Sequence, residues 1–203
     1  MRPRRHVVIF VKAPRLGAVK TRLAADIGAL DAWRFYRRTA TRIVRRLGRD
    51  ARWRCWLAVT PDRLAGDDGT WPRRLPRLAQ GAGDLGARMA RALAALPPGP
   101  AVIVGADVPE LTAAHVARAF GALRRKAAVF GPAPDGGYWL VGVRRRRLAP
   151  DLFRDVRWSS AHALADTVAN LPPWLAPAMI EALADVDDGD DYRRWRAKGG
   201  ATG

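Results

Sequence analysis

The strongest constraint on this chain is a rhythm: continuous apolar runs, each followed by a Gly-, Pro- or Asp-rich loop and then by an amphipathic stretch. HVVIFV (His6–Val11) leads into KAPRLGAVKTR, AVIV (Ala101–Val104) into GADVPE, and AAVF (Ala127–Phe130) into GPAPDGGY. Runs that are apolar at every position suit strands buried on both faces, as in a parallel sheet. Parallel strands need crossovers, and the amphipathic segments between the runs supply helices for them. The pattern predicts strands at His6–Val11, Trp53–Thr60, Ala101–Val104, Ala127–Phe130 and Tyr138–Val143. A short strand is expected near Leu75–Gln80 and a late one near Ala178–Ala184. Helices are expected at Thr21–Ile27, Asp31–Leu47, Asp84–Leu96, Thr112–Arg125, Ser160–Asn170 and Asp188–Arg196. In Asp31–Leu47 the residues Trp33, Tyr36, Ala40, Ile43, Val44 and Leu47 recur every three to four positions, one buried stripe with Arg opposite. The fold class is α/β.

With 203 residues, 49% of them hydrophobic, the chain can bury one sizeable core and falls short of two ordinary domains. LPPGP (Leu96–Pro100) and LPPWLAP (Leu171–Pro177) are tight links, too short to separate domains. A single domain over 1–197 is expected, with a flexible C-terminal tail over 198–203. No apolar run approaches the roughly 20 residues that span a bilayer. The N-terminus MRPRRHVVIFVKAP has a basic start, but its apolar part is short and no small-residue cleavage site follows, so it reads as a first strand. The single Cys55 excludes an internal disulfide and a multi-cysteine metal site. These features together predict a soluble, cytoplasmic protein.

The formal net charge is +17, and only four of the 36 basic residues are Lys: Lys12, Lys20, Lys126 and Lys198. Such an excess of charge can serve nucleic acid, an acidic membrane or an anionic small substrate. The Arg residues are scattered, in RPRR at the start, RRLGRDARWR at 45–54, RRRR at 144–147 and RRWR at 193–196, and no nucleic-acid motif accompanies them. Nucleic acid is therefore not the expected partner, and most of this Arg reads as solvated surface.

In open α/β sheets ligands sit outside the carboxyl ends of the strands, so the loops after each strand carry the functional argument. In KAPRLGAVKTR, only two residues separate Gly17 from Lys20-Thr21, which is neither a Walker loop nor a dinucleotide fingerprint. The loop can still hold phosphate: Gly17 lets backbone approach, and Lys12, Lys20 and Arg22 add positive charge beside a helix start. It can equally be a basic solvated loop. Asp107 in VIVGADVPEL follows a buried strand, placed either to hold Mg2+ or to make a turn before the helix at Thr112. Asp135, Gly136 and Gly137 between two apolar runs form either a hairpin turn or a substrate loop. In DVDDGDD, the cluster around Asp185, Asp187, Asp188, Asp190 and Asp191 could supply metal ligands or cap a helix. His6, His115 and His162 are scattered without metal spacing, and no Gly-x-Ser-x-Gly elbow is present.

Taken in order, KAPRLGAVKTRL, QGAGDLGARM, VGADVPEL, GPAPDGGYWLVG, Trp158-Ser159 and DVDDGDD resemble the DUF2064 family over about Val7 to Tyr192. Its members are also called glycosyltransferase-A-like or radical-SAM/selenodomain-associated transferases, and they are similar to the nucleotide-diphospho-sugar transferases. The resemblance implies a three-layer α/β/α domain with a mostly parallel mixed sheet. It implies nucleotide phosphates at Lys12, Gly17, Lys20 and Arg22, Mg2+ or Mn2+ at Asp107 and Asp187, and an acceptor beside Gly136, Gly137 and Tyr138. The opening loop has one Gly where nucleotidyltransferases have a Gly-rich loop, so a sugar-nucleotide donor is equally compatible. Asp107-Val108-Pro109 lacks the second Asp of the glycosyltransferase Asp-x-Asp and is closer to guanylyl- and cytidylyltransferases.

The expected activity is metal-dependent transfer from a nucleotide-sugar donor to an acceptor that the sequence does not identify. Its alternatives are a nucleotidyltransferase releasing pyrophosphate and a non-catalytic nucleotide- or nucleic-acid-binding module. In the catalytic readings Lys20 and Arg22 stabilise charge on the leaving oxygen, and Asp135 is the candidate base for a hydroxyl acceptor.

Overall fold

The structure, a computed structural model, describes residues 4–66, 69–145 and 152–200. Of the expected tail, residues 201–203 lie outside the described residues, and the basic runs at the N-terminus and at 144–147 fall partly outside them. The element order is β1 (His6–Lys12), α1 (Thr21–Ile27), α2 (Ala29–Gly48), β2 (Arg54–Thr60), β3 (Arg77–Ala79), α3 (Leu85–Ala94), β4 (Ala101–Gly105) and α4 (Ala113–Ala122). It continues with β5 (Ala128–Pro132), β6 (Tyr138–Val143), α5 (Ala163–Ala169), β7 (Ala178–Met179) and α6 (Gly189–Ala197). A single 3-10 turn, Asp62–Leu64, follows β2.

The strands form one seven-stranded sheet in the order β3-β2-β1-β4-β6-β5-β7. Among them β6 runs antiparallel to both of its neighbours, and the other pairings are parallel. The apolar runs therefore mean what their pattern implies. Val7, Ile9 and Val11 of β1 face a core built with Tyr36, Ala40 and Ile43 of α2 and with Val116 and Phe120 of α4. Val8, between them, faces a second core with Met89 and Ala92 of α3, Ile103 of β4 and Phe130 of β5. Alternate side chains of a strand leave on opposite faces, so a run without polar gaps requires cover on both, and the fold is three-layered. A smaller cluster joins α1, α2 and α6 through Leu23, Ala32, Phe35 and Val186, with the rings of Tyr192 and Trp195 edge-on to Phe35.

The sheet also corrects some expectations. The late strand near Ala178–Ala184 is reduced to Ala178–Met179, although Ile180 and Leu183 still donate to carbonyls at Phe130 and Pro132. The early strand near Leu75–Gln80 shortens to Arg77–Ala79. Asp135-Gly136 does turn an antiparallel hairpin, β5 to β6, the local reading of that stretch. Asp188 does cap α6, accepting from the Asp191 N–H at 2.9 Å. His115 serves α4, where Thr112 and His115 form a reciprocal capping box. Cys55 is core, and burial pushes its thiol up to about 12. Trp53, Trp56, Trp71 and Trp139 are buried, whereas Trp174 is exposed. The outer face of α2 presents Arg34, Arg37, Arg42 and Arg45 along a shallow groove, with Arg37 stacked 5.1 Å from the Trp33 ring.

Candidate active site

Five segments meet at one edge of the sheet. β1, β4 and β5 end there, β6 begins there, and the segment before α6 crosses it. Between them lies a cleft of about 630 Å3 lined by Lys12, Lys20, Arg22, Asp107, Asp135, Gly137, Tyr138, Asp185 and Asp187, among others. That volume is in the range of small-molecule sites.

The centre of the cleft wall is an ion-pair network. The Lys20 ammonium lies 2.9 Å from Asp107 Oδ2 and 3.2 Å from Asp187 Oδ1. The Arg22 guanidinium donates to the other oxygen of Asp187 at 3.0 Å. The Lys20 side chain is only 6% exposed, against 35% for Asp107 and 39% for Asp187. Burial works against its charge, but the Asp107 carboxylate, and after it Asp187 and Asp185, outweigh burial and hold the ammonium above its ordinary pKa. Asp185 shows the opposite balance. Burial, and then the nearby Asp107 charge, push its carboxyl up to about 6, while Lys20 pulls the other way.

The loop between β1 and α1 places these groups by strained backbone. Lys20 is the N-cap of α1 in the left-handed region, φ 48°, which L side chains enter at a cost. Gly17, φ 74°, turns the same loop at no such cost. The base of the loop is pinned to α2: the Lys12 N–H donates to the Tyr36 hydroxyl at 2.8 Å, and that hydroxyl donates to the Lys12 carbonyl at 2.9 Å. Gln80, after β3, is buried and donates to the carbonyls of Val11 and Ala58 at 3.3 and 2.8 Å, tying three strand ends together.

The structure thus brings together Lys12, Lys20, Arg22, Asp107, Asp135, Gly137, Tyr138 and Asp187 on one cleft. Gly17 and Gly136 are not lining residues; each shapes the turn that carries its neighbours. Asp135 accepts from the Gly137 N–H at 2.9 Å, so one of its oxygens holds the hairpin turn. Asp185, Tyr36 and Gln80 have no separate role in the sequence pattern. The acidic cluster pointed to Asp185, and the helical stripe pointed to Tyr36 only as core. A Gln closing a strand before a Gly-rich loop is the one signal for Gln80.

Among the described residues no three His, Cys, Asp or Glu side chains form a ready-made metal cage. Two carboxylates, Asp107 and Asp187, already share one cation, and that donor set fits Mg2+ or Mn2+. Such ions take oxygen ligands, commonly one or two carboxylates completed by substrate phosphates and water.

This three-layer sheet, with its cleft at the strand ends, is the fold of nucleotide-diphospho-sugar transferases and cytidylyltransferases. The family described as "Uncharacterized protein conserved in bacteria (DUF2064)" matches residues 43–160, more than half of the chain, and the chain belongs to that family. A candidate nucleotide-diphospho-sugar transferase from Desulfovibrio desulfuricans G20 is similar at 28% identity and a TM-score of 0.85, over 97% of this chain and 88% of that one. The 4-diphosphocytidyl-2C-methyl-D-erythritol synthase of Anaerococcus prevotii DSM 20548 shares the fold at 11% identity and a TM-score of 0.61, over 97% and 96% of the two chains. Rv0371c of Mycobacterium tuberculosis H37Rv, solved in complex with manganese, does so at 17% identity and a TM-score of 0.56, over 95% and 97%. No curated protein matches significantly. No helix among the described residues is long and apolar enough to cross a membrane.

Proposed function

We propose that the protein is a metal-dependent transferase that uses a nucleotide-sugar donor. The observation that carries this reading is the Lys20 ammonium held between Asp107 and Asp187 on the wall of the cleft. Asp107 and Asp187, already arranged around one cation, would hold a divalent ion, and Lys12, Lys20 and Arg22 supply charge for the phosphates themselves. The resemblance to nucleotide-diphospho-sugar transferases supports a donor of this class. When bound, Mg2+ or Mn2+ supplies neutralisation of the diphosphate charge.

Each protein group then has a task. Asp107 and Asp187 would hold the metal. Lys20 and Arg22 stabilise the charge that develops on the leaving oxygen. Tyr138 and Gly137 border the acceptor side, and Asp135 is the candidate base if the acceptor is a hydroxyl. The cytoplasmic nucleotide pool would supply the donor, and residues 1–197 would act as one domain.

A second reading, nucleotidyl transfer with release of pyrophosphate, is favoured by Asp107-Val108-Pro109, which has no second Asp. The two readings leave different products. Incubation with UDP-, GDP-, ADP- and CDP-sugars, and separately with the four nucleoside triphosphates and a pool of sugar phosphates and alcohols, is expected to release a nucleoside diphosphate from one sugar nucleotide only when Mg2+ or Mn2+ is present. Pyrophosphate release from one triphosphate would instead establish the second reading. Neither product under any metal condition would leave a nucleotide-binding module as the better description.

A further inference from the structure

We infer that Lys20 is the resident cation of the Asp107–Asp187 pair and competes with divalent metal for it. This rests on the proposed function in one respect: the phosphates that would draw Lys20 away are taken to be those of the nucleotide. The Lys20 ammonium bonds both carboxylates at once, at 2.9 and 3.2 Å, although they stand 87 and 167 residues away in the chain. Its side chain is 6% exposed, and solvent reaches the contact only from the carboxylate side, where Asp107 and Asp187 are 35% and 39% exposed. An ammonium there and a divalent ion would claim the same oxygens, and two like charges side by side repel.

The local backbone agrees with this assignment. Lys20 holds a left-handed conformation, φ 48°, that costs the chain energy and is retained where it directs the side chain to the pair. Its flexible four-carbon stem can carry the ammonium to a new anion without moving the helix. Asp185 adds a third carboxylate to the cleft, so the pocket keeps its demand for positive charge when Lys20 turns away. The sequence of events that follows is specific. Without phosphate, Lys20 stays on the pair and metal binds weakly. With phosphate present, Lys20 moves to its oxygens, and Asp107 and Asp187 are left to complete a shared metal site. Metal and nucleotide then bind as one unit, each raising the affinity for the other by the same factor.

The experiment is a Mn2+ titration of the full chain, reading free Mn2+ by electron paramagnetic resonance, with pyrophosphate as the phosphate probe. Lys20→Gly removes the ammonium and suits the positive φ, so α1 keeps its start; Lys20→Met tests the same loss with the stem retained. Both variants are expected to bind Mn2+ alone at least tenfold more tightly than wild type. Asp107→Asn placed on Lys20→Gly should abolish that gain, locating it at this pair. In wild type, pyrophosphate should raise Mn2+ affinity at least tenfold beyond the Mn2+ that pyrophosphate alone binds in a protein-free titration, and in Lys20→Gly much less. Wild-type circular dichroism in both variants, with Mn2+ affinity no higher than wild type, overturns the inference. The other failure is distinct: a gain in the Lys20 variants with no response of wild type to pyrophosphate keeps Lys20 as the site's cation and counts against the nucleotide reading. Because the chain has only four Lys, the Lys20 Cε resonance can be assigned in wild type by its loss in Lys20→Met. That signal should shift when Mg2+ and pyrophosphate are added together and stay put with Mg2+ alone; a shift with Mg2+ alone contradicts the competition.

Discussion

Replacing Asp107 by Asn is expected to lower transfer activity by about 100- to 1000-fold, the range seen when one preorganised electrostatic contact to a transition state is lost. Asn keeps the shape of the side chain and removes its charge. Lys20 is then left with Asp187 at 3.2 Å as its one remaining close carboxylate in the pair. Breaking a fully buried ion pair costs about 3–5 kcal/mol. Asp107 keeps about a third of its surface exposed, so solvent offsets much of the loss, and a stability cost of about 1–2 kcal/mol is expected. The check is a pair of measurements on one preparation: initial rate at saturating donor, and nucleotide affinity with and without Mg2+. Activity within twofold of wild type would remove Asp107 from the site.

Gly136→Ala is expected to be the most damaging small substitution in the cleft. Gly136 has φ 82°, and a Cβ there would stand 2.2 Å from the Ala161 carbonyl oxygen, a backbone atom that cannot rotate aside. The residue also joins the hairpin to the next element, since the Leu164 N–H donates to its carbonyl at 3.0 Å. The left-handed backbone costs about 1–2 kcal/mol for an L residue, and forced overpacking costs typically 1–3 kcal/mol. A loss of about 2–5 kcal/mol, or roughly 4–20 °C in melting temperature for a chain of this size, follows. Gly17→Ala is the control: φ is 74°, but nothing lies within 4 Å of the added Cβ, so only the backbone cost applies. A Gly136→Ala melting point equal to that of Gly17→Ala would show that the contact with Ala161 does not matter.

These two residues also mark where sequence reasoning reaches and where it stops. The strands were legible because doubly buried strands have no polar gaps, and VVIFV (Val7–Val11) and AVIV have none. Burial on both faces then fixed the layers and, with them, the edge of the sheet where loops gather. Asp107 and Lys20 could be named as candidates for the same reason, each lying in a polar loop after an apolar run, whereas Asp187 is singled out from its acidic cluster only by the family resemblance. Their contact could not be read: 87 and 167 residues separate Lys20 from its two partners, and only the sheet order brings β1, β4 and the segment before α6 together. Gly136 was read as part of an acceptor wall, but a glycine is required there by the close approach of the Ala161 backbone, which leaves no room for a Cβ and which no local pattern announces. The hairpin at Asp135 remained an open alternative because Asp-Gly-Gly serves a tight turn and a substrate loop alike; here it turns the hairpin while Asp135 and Gly137 line the cleft. Tyr36 is the clearest omission. Its ring belongs to the helical stripe, as periodicity requires, while its hydroxyl fastens the end of β1.

We propose that Asp107, Asp187 and Lys20 form a site where a nucleotide and a divalent metal bind together. Thermal shift of wild-type protein and Asp107→Asn against sugar nucleotides and nucleoside triphosphates, each with and without Mg2+ or Mn2+, checks this. One nucleotide class is expected to stabilise wild type only when metal is present, and Asp107→Asn is expected to lose this response. Stabilisation that ignores metal in both proteins, or no stabilisation by any nucleotide, would contradict it.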